Sequence, residues 1–310
     1  MSAAASPTSV APEEPSAPVA ASAEPLLVIE DLRVDVDHVP ACDGITLRTT
    51  GNRVLILGAP RALYEAMCGL RPVVRGALRV RGSAAGVAAR EGTVAGAALD
   101  PPLPPKWTAL EYVTWSSRLA GHSAGDARTL ANDAIAAVQL GPMATTPLAR
   151  MVPHARRGVV LAAALATGAD VNVVDDPLAA LPEEIARTWA RIIVQALGER
   201  SWVVLAGRVS LTSPLAMKAD EELIVSSSRL HAQGPPAEIA AADRRFVARI
   251  HGPLETLGAR LEERGARMDI QGAQVVLDLG STLTTAELLG LCAELDATVV
   301  EMVPLARALT

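Results

Sequence analysis

Two short stretches of this chain carry residue types whose spacing bears on phosphate chemistry. The first, RVLILGAPRALYEAMCGL over residues 53–70, reads as a buried strand, a turn opening on Gly58, and the start of a helix. That is the setting of a phosphate-binding loop of pattern G-x-x-x-x-G-K-[ST], in which backbone N–H groups cradle phosphate, a lysine neutralises it and a hydroxyl reaches Mg²⁺. Counted from Gly58, the second glycine falls on Leu63, the lysine on Tyr64 and the hydroxyl residue on Glu65. Each difference removes one of those functions, and Glu65 adds negative charge where phosphates would sit. The second stretch is Asp175-Asp176-Pro177, which closes an apolar run over 171–174. Taken alone, two carboxylates at a strand end are also ordinary turn chemistry.

Nothing else in the sequence offers a competing constellation. The five histidines are scattered, and Cys42, Cys68 and Cys292 match no metal-ligand spacing. A net charge of −6 argues against nucleic-acid binding by bulk electrostatics. Aromatics make up 2% of residues, too few to build stacking platforms for bases. No uninterrupted apolar run reaches the roughly 18–20 residues needed to cross a bilayer. The expectation is therefore a cytoplasmic chain whose membrane role, if any, runs through a partner.

The elements that would position these residues follow a regular order. Residues 1–25 are rich in Ala, Pro and Ser without a Lys or Arg, which reads as a disordered tail. Strands are expected over 26–34, around 44–48 and over 54–57, then a helix over 62–70 and an alternating strand before Gly82. A Pro-rich turn at 101–105 precedes a helix containing Tyr112 and Trp115, and helical character continues to about residue 146. A helix over 156–167, a buried strand over 171–174, a helix over 183–197 and a strand over 202–206 come next. Apolar strands separated by helices indicate a parallel sheet covered on both faces. Beyond about residue 240 the pattern becomes a small α+β unit, with helices over 256–264 and 285–295 and strands over 275–279 and 297–302.

In this order the landmarks resemble the nucleotide-binding subunit of an ABC transporter. PPLPPKWTALEY (101–112) resembles the segment that opens the family's helical subdomain after its glutamine loop. ADVNVVDDPLAAL (169–181) resembles the Walker B strand and its continuation, and DEELIVSSSRLHAQGPPAEI (220–239) the closing hairpin. The tail over 249–310 is similar to the accessory domain of some export-type subunits. The resemblance implies an α/β, P-loop NTPase-like ABC ATPase domain with a helical subdomain over 26–240, and a C-terminal α+β accessory domain over 241–310.

What the family's motifs imply can be carried over position by position. Asp175 stands where a carboxylate holds Mg²⁺, and Asp176 replaces the glutamate that activates the attacking water. Asp is one methylene shorter, and a misplacement of about 1 Å can cost ~10²-fold in rate. The loop glutamine falls on Leu99 or Asp100, the signature L-S-G-G-Q on 151–155, and the switch histidine on Gly207 or Arg208; none of these residues matches. Composite sites in the family join one subunit's phosphate loop to the other's signature. A chain altered on both faces is expected to be a catalytically degenerate subunit, with ATP and Mg²⁺ possible by resemblance and doubtful from its residues. Expected partners are a transmembrane permease or an intact ATPase subunit, with Trp107 and Trp115 as anchors or as core plugs. The alternatives are a slow ATPase using Asp176 as a weakened base, and a soluble scaffold that has left transport.

Overall fold

Alternating apolar runs dictate the layers. The computed structural model describes residues 24–207, 209, 213–242, 245–271, 274–280 and 283–304. In chain order the first half contains β1 (Leu27–Val36), β2 (Val39–Arg48), β3 (Arg53–Leu57), α1 (Arg61–Met67), β4 (Arg75–Val80), β5 (Ser83–Ala84), α2 (Ala85–Arg90) and β6 (Val94–Ala97). The helical segment follows as α3 (Ala109–Leu119), α4 (Ala124–Ala137) and α5 (Pro153–Leu165), then β7 (Val171–Asp175), α6 (Glu183–Leu197) and β8 (Ser201–Ala206). Next come α7 (Pro214–Lys218), β9 (Glu221–Val225), β10 (Leu230–Gly234) and α8 (Pro236–Ala242).

The central sheet runs β10-β9-β3-β8-β7-β6, parallel throughout except for the β10–β9 hairpin. Every residue of β7 and β9 is buried, as expected for a parallel sheet covered on both sides. The side-chain period of two then sorts each strand between two cores. Leu55, Leu57, Val174 and Val204 face a core completed by α3, α4, α5 and α6. Val54, Ile56, Val173 and Val203 face a second core made with α1 and the antiparallel sheet β2-β1-β4-β5.

Local signals place the helices. Thr108 accepts from the Glu111 N–H while the Glu111 carboxylate accepts from the Thr108 N–H, so the T-x-x-E of the sequence is a capping box that starts α3. Glu183 and Glu184 lie in the first turn of α6, and Gly198 (φ +57°) ends it. The expected bounds of α6 coincide with the observed ones. Helix α5 begins at Pro153, earlier than expected, because proline suits a first helical position where no N–H is needed. Neither α2 nor β6 is legible in the sequence, because the stretch between Ser83 and Leu99 is rich in Ala and Gly and carries no clear period.

The C-terminal residues form β11 (Arg245–His251), α9 (Leu254–Glu263), β12 (Arg267–Gln271), β13 (Gln274–Asp278), α10 (Thr285–Glu294) and β14 (Thr298–Pro304). This is a βαββαβ unit with sheet order β12-β13-β11-β14. It has its own apolar cluster, centred on Leu257, Leu261, Leu277 and Leu288. Strands β11 and β12 were not anticipated. The stretch taken as a tail is outside the described residues as far as residue 23, as are Arg208 and residues 305–310.

Candidate functional site

Strand β3 is held in place from below by two acidic side chains at the start of β9. Glu221 is 3% exposed. Its carboxylate accepts from the N–H groups of Thr50 (2.8 Å) and Gly51 (3.1 Å), from the Thr50 hydroxyl (3.2 Å) and from the Gln233 amide (2.7 Å). Asp220 accepts from the N–H groups of Asn52 and Arg53 and from the Arg53 guanidinium. Burial works to raise the Asp220 pKa, but Arg53 and the two backbone donors outweigh it and hold the carboxyl below its ordinary value. The Thr50–Arg53 turn is thereby fixed, and with it the direction in which β3 delivers Gly58.

At the upper end of β3, Gly58 adopts φ +75° and its N–H pairs with the Ala206 carbonyl. Helix α1 begins at Arg61, three residues later. Leu63, Tyr64 and Glu65 are therefore helical residues rather than members of an open loop. Tyr64 is 2% exposed; with the Cys68 thiol it packs over Gly96, where a methyl group would come within 2.7 Å of the Tyr64 hydroxyl. Glu65 pairs with Arg71 at 2.6 Å and with Arg61 at 3.4 Å. Arg61 also reaches Asp175, with Nε 3.5 Å from the carboxylate. A guanidinium tethered to the first turn of α1 thus lies between Glu65 and Asp175. Arg61 stands outside the motif positions, although its i, i+4 spacing from Glu65 is visible in the chain.

Asp175 ends β7 with its side chain 6% exposed. Burial raises its pKa; the Leu99 N–H (3.4 Å) and Arg61 oppose that, while Asp176 and Glu65 add to it. Asp176 turns away from the strand in the left-handed region (φ +37°), its N–H bonded to the Leu205 carbonyl at 2.8 Å. Burial raises its pKa as well, against the Gly207 N–H and the charge of Arg157. A carboxyl with a raised folded pKa is destabilised when ionised. Asp175→Asn is therefore expected to gain stability relative to the parent as pH rises from the ordinary carboxylate range through the raised folded value. The gap should be constant above that and vanish below the unfolded pKa. Urea denaturation at a series of pH values measures it; a gap that shrinks with rising pH would refute this reading.

The remaining motif positions surround the base of α5. Arg157, nearly buried, donates to the Ala179 carbonyl (2.7 Å) and to the Asp100 carboxylate (3.3 Å). It ties the turn after β6 to the turn after β7. Pro153, His154 and Ala155 form the first turn of α5, and the His154 ring meets Trp189 edge-on at 6.1 Å. Trp107, just before the Thr108 cap, meets Trp115 of α3 edge-to-face at 5.7 Å, Tyr112 lies beside Trp115, and Trp115 is 46% exposed. Trp189 and Trp202 are core residues. Among the described residues no group of three or more His, Cys, Asp or Glu is arranged to hold a metal, and no helix is long and apolar enough to cross a membrane.

A mostly parallel sheet that carries a strand-turn-helix after β3, an Asp-Asp strand end on β7 and an inserted three-helix segment defines an α/β fold of the nucleotide-binding-cassette class. Solved structures share it. CbiO1 from Clostridium perfringens, part of the ABC transporter complex cbiONQ, superposes with a TM-score of 0.60 at 16% identity, over 70% of this chain and 91% of that one. The ADP conformation of MJ1267, an ATP-binding cassette of an ABC transporter, gives 0.58 at 14% identity, over 70% and 94%. In sequence, the hemin import ATP-binding protein HmuV of Streptomyces coelicolor is 28% identical over 242 residues, covering 72% of this chain and 83% of the relative. The cytochrome c biogenesis ATP-binding export protein CcmA of Paracoccus denitrificans is 24% identical over 196 residues, covering 62% and 86%. No protein-family model matches the chain. In sequence and in fold the chain is thus similar to ATP-binding subunits of ABC transporters.

Proposed function

We propose that this chain is a catalytically degenerate member of its family that docks on a transmembrane permease or an intact ATPase partner at the cytoplasmic face of the membrane. The observation that carries the reading is the seat of Arg61. A P-loop offers backbone N–H groups and a lysine to phosphate, whereas here α1 starts three residues after Gly58 and its first side chain pairs with Asp175 and Glu65. Mg²⁺ on Asp175 would have to displace that guanidinium, and phosphates would meet Glu65. ATP and Mg²⁺ therefore fit these residues poorly.

The opposite face supports the same reading, since Pro153 at the start of α5 has no N–H to offer a phosphate. The aromatic patch of Trp107, Tyr112 and Trp115 on an otherwise aromatic-poor chain is the natural docking anchor. The division into a cassette over 26–240 and an accessory unit over 241–310, of the export-associated kind, is part of the proposal; the separate apolar cluster of the C-terminal strands and helices supports it.

Titration of the purified chain with millimolar Mg²⁺-ATP is expected to give no saturable heat, and affinity purification from membranes is expected to recover a permease. A specific observation keeps one alternative in view: Asp175 and Asp176 stand at the strand end where a slow ATPase would need them. Saturable Mg²⁺-ATP binding lost in Asp175→Ala would replace our reading with that one.

A further inference from the structure

Among the described residues, the C-terminal sheet β12-β13-β11-β14 has two strands with a neighbour on one side only. An edge strand presents a row of backbone N–H and C=O groups, and proteins blunt such edges with bulges, prolines or charges. Strand β14 carries two of these devices. Its pairing with β11 shifts register between Glu301 and Val299, which leaves Val300 bulged, and it ends on Pro304, which has no N–H. Strand β12 carries neither: its five residues include no proline and pair with β13 without a register shift. Ile270 on this edge is 47% exposed, although it stands opposite the buried Val275 on the face of the sheet that α9 and α10 cover.

The charges of β12 complement one another and so select a partner. Arg267 and Asp269 are exposed and flank Met268. They lie on the sheet face turned away from the helices, because Met268 and Ile270 stand opposite Leu277 and Val275 of the apolar cluster. Residues directly opposed in an antiparallel pair share a face. If β12 pairs with a second β12 about a two-fold axis at Met268, Arg267 of each copy meets Asp269 of the other. Ile270 then meets Ala266 of the second copy, a small residue at the rim of the apolar cluster. An axis at Arg267 or at Asp269 would instead set like charges against each other, so the charge pattern favours the Met268 register. We propose that this chain forms a homodimer through β12, in which the two four-stranded C-terminal sheets become one continuous sheet. This contact lies outside the cassette and does not depend on nucleotide or on a permease.

Sedimentation equilibrium of the full chain without nucleotide, up to the hundred-micromolar range, is expected to show monomer and dimer. A five-residue edge is short, so the expected affinity is micromolar rather than nanomolar. R267D and D269R each oppose like charges at two symmetric places and are expected to weaken the dimer about tenfold or more. An equal mixture of the two variants restores unlike charges at both places and is expected to dimerise as the parent does, a rescue that a misfolded variant could not give. I270K is expected to weaken the dimer with an unchanged circular dichroism spectrum. A chain that stays monomeric throughout would overturn the proposal. So would a dimer of parental affinity in R267D, or a mixture that associates no better than its components.

Discussion

Replacing Tyr64 by lysine, the substitution that restores the phosphate-loop motif when counted from Gly58, is expected to destabilise the chain by about 3 kcal/mol or more and to confer no nucleotide binding. Tyr64 is the fourth residue of α1, not a loop residue, and it is 2% exposed. It fills the space over Gly96 beside the Cys68 thiol. Truncating a buried aromatic side chain costs about 3–5 kcal/mol, because the surroundings collapse only in part. Lysine returns some methylene volume but brings an ammonium that must be desolvated or driven out of the core. Urea denaturation reads the first half of this prediction and Mg²⁺-ATP calorimetry the second. A Tyr64→Lys chain of parental stability that binds ATP would show that α1 can yield its first turn to a loop, and the account of Arg61 would fall with it.

Glu221→Ala is expected to have a comparable effect from the opposite end of β3. The carboxylate is the acceptor for two backbone N–H groups, a hydroxyl and an amide. Its removal strands those donors in a protein interior, at about 1–3 kcal/mol for each one left without water. We expect a total loss of about 3 kcal/mol or more, with Glu221→Gln intermediate because it keeps an acceptor oxygen and the side-chain volume. Native-state hydrogen exchange should show the Thr50 and Gly51 amides losing protection in Glu221→Ala. Unchanged protection at those amides would mean that the turn is held by Asp220 and Arg53 alone.

The two acidic residues also show what the sequence makes legible and what it hides. Asp220 was visible as part of a family-like hairpin, but the backbone partners of Glu221, at Thr50 and Gly51, lie about 170 positions earlier in the chain, and no local pattern points to them. Strand β7 and helix α6 could be read closely, since an apolar run ending in Asp-Asp-Pro and a long amphipathic helix with acidic residues in its first turn are strong local signals. Strand β11 was missed although Phe246, Ala248 and Ile250 alternate with charged and other neighbours, because a seven-residue strand in a small sheet gives little periodicity to count.

The candidate site divides the same way. Asp175 and Asp176 were placed correctly at a strand end. The helix expected over 62–70 starts one residue earlier, at Arg61, but counting a fixed motif spacing from Gly58 could not reveal the ion pairs that Arg61 makes. The clue lay instead in helical logic: Arg61 and Glu65 stand one turn apart, and Leu63, Ala66 and Met67 supply a buried face. Arg157 was also hidden, because its partners come from two other turns that only the folded sheet brings together.

Arg61 is attached to the chain that it neutralises. A cation delivered by a nucleotide comes and goes with concentration, whereas a tethered one is always at high local concentration beside its carboxylates. In the function we propose, the pairing of Arg61 with Asp175 and Glu65 is therefore indifferent to the cell's ratio of ATP to ADP. On that reading, a partner at this end of the sheet would meet the same charge pattern in a fed cell and a starved one.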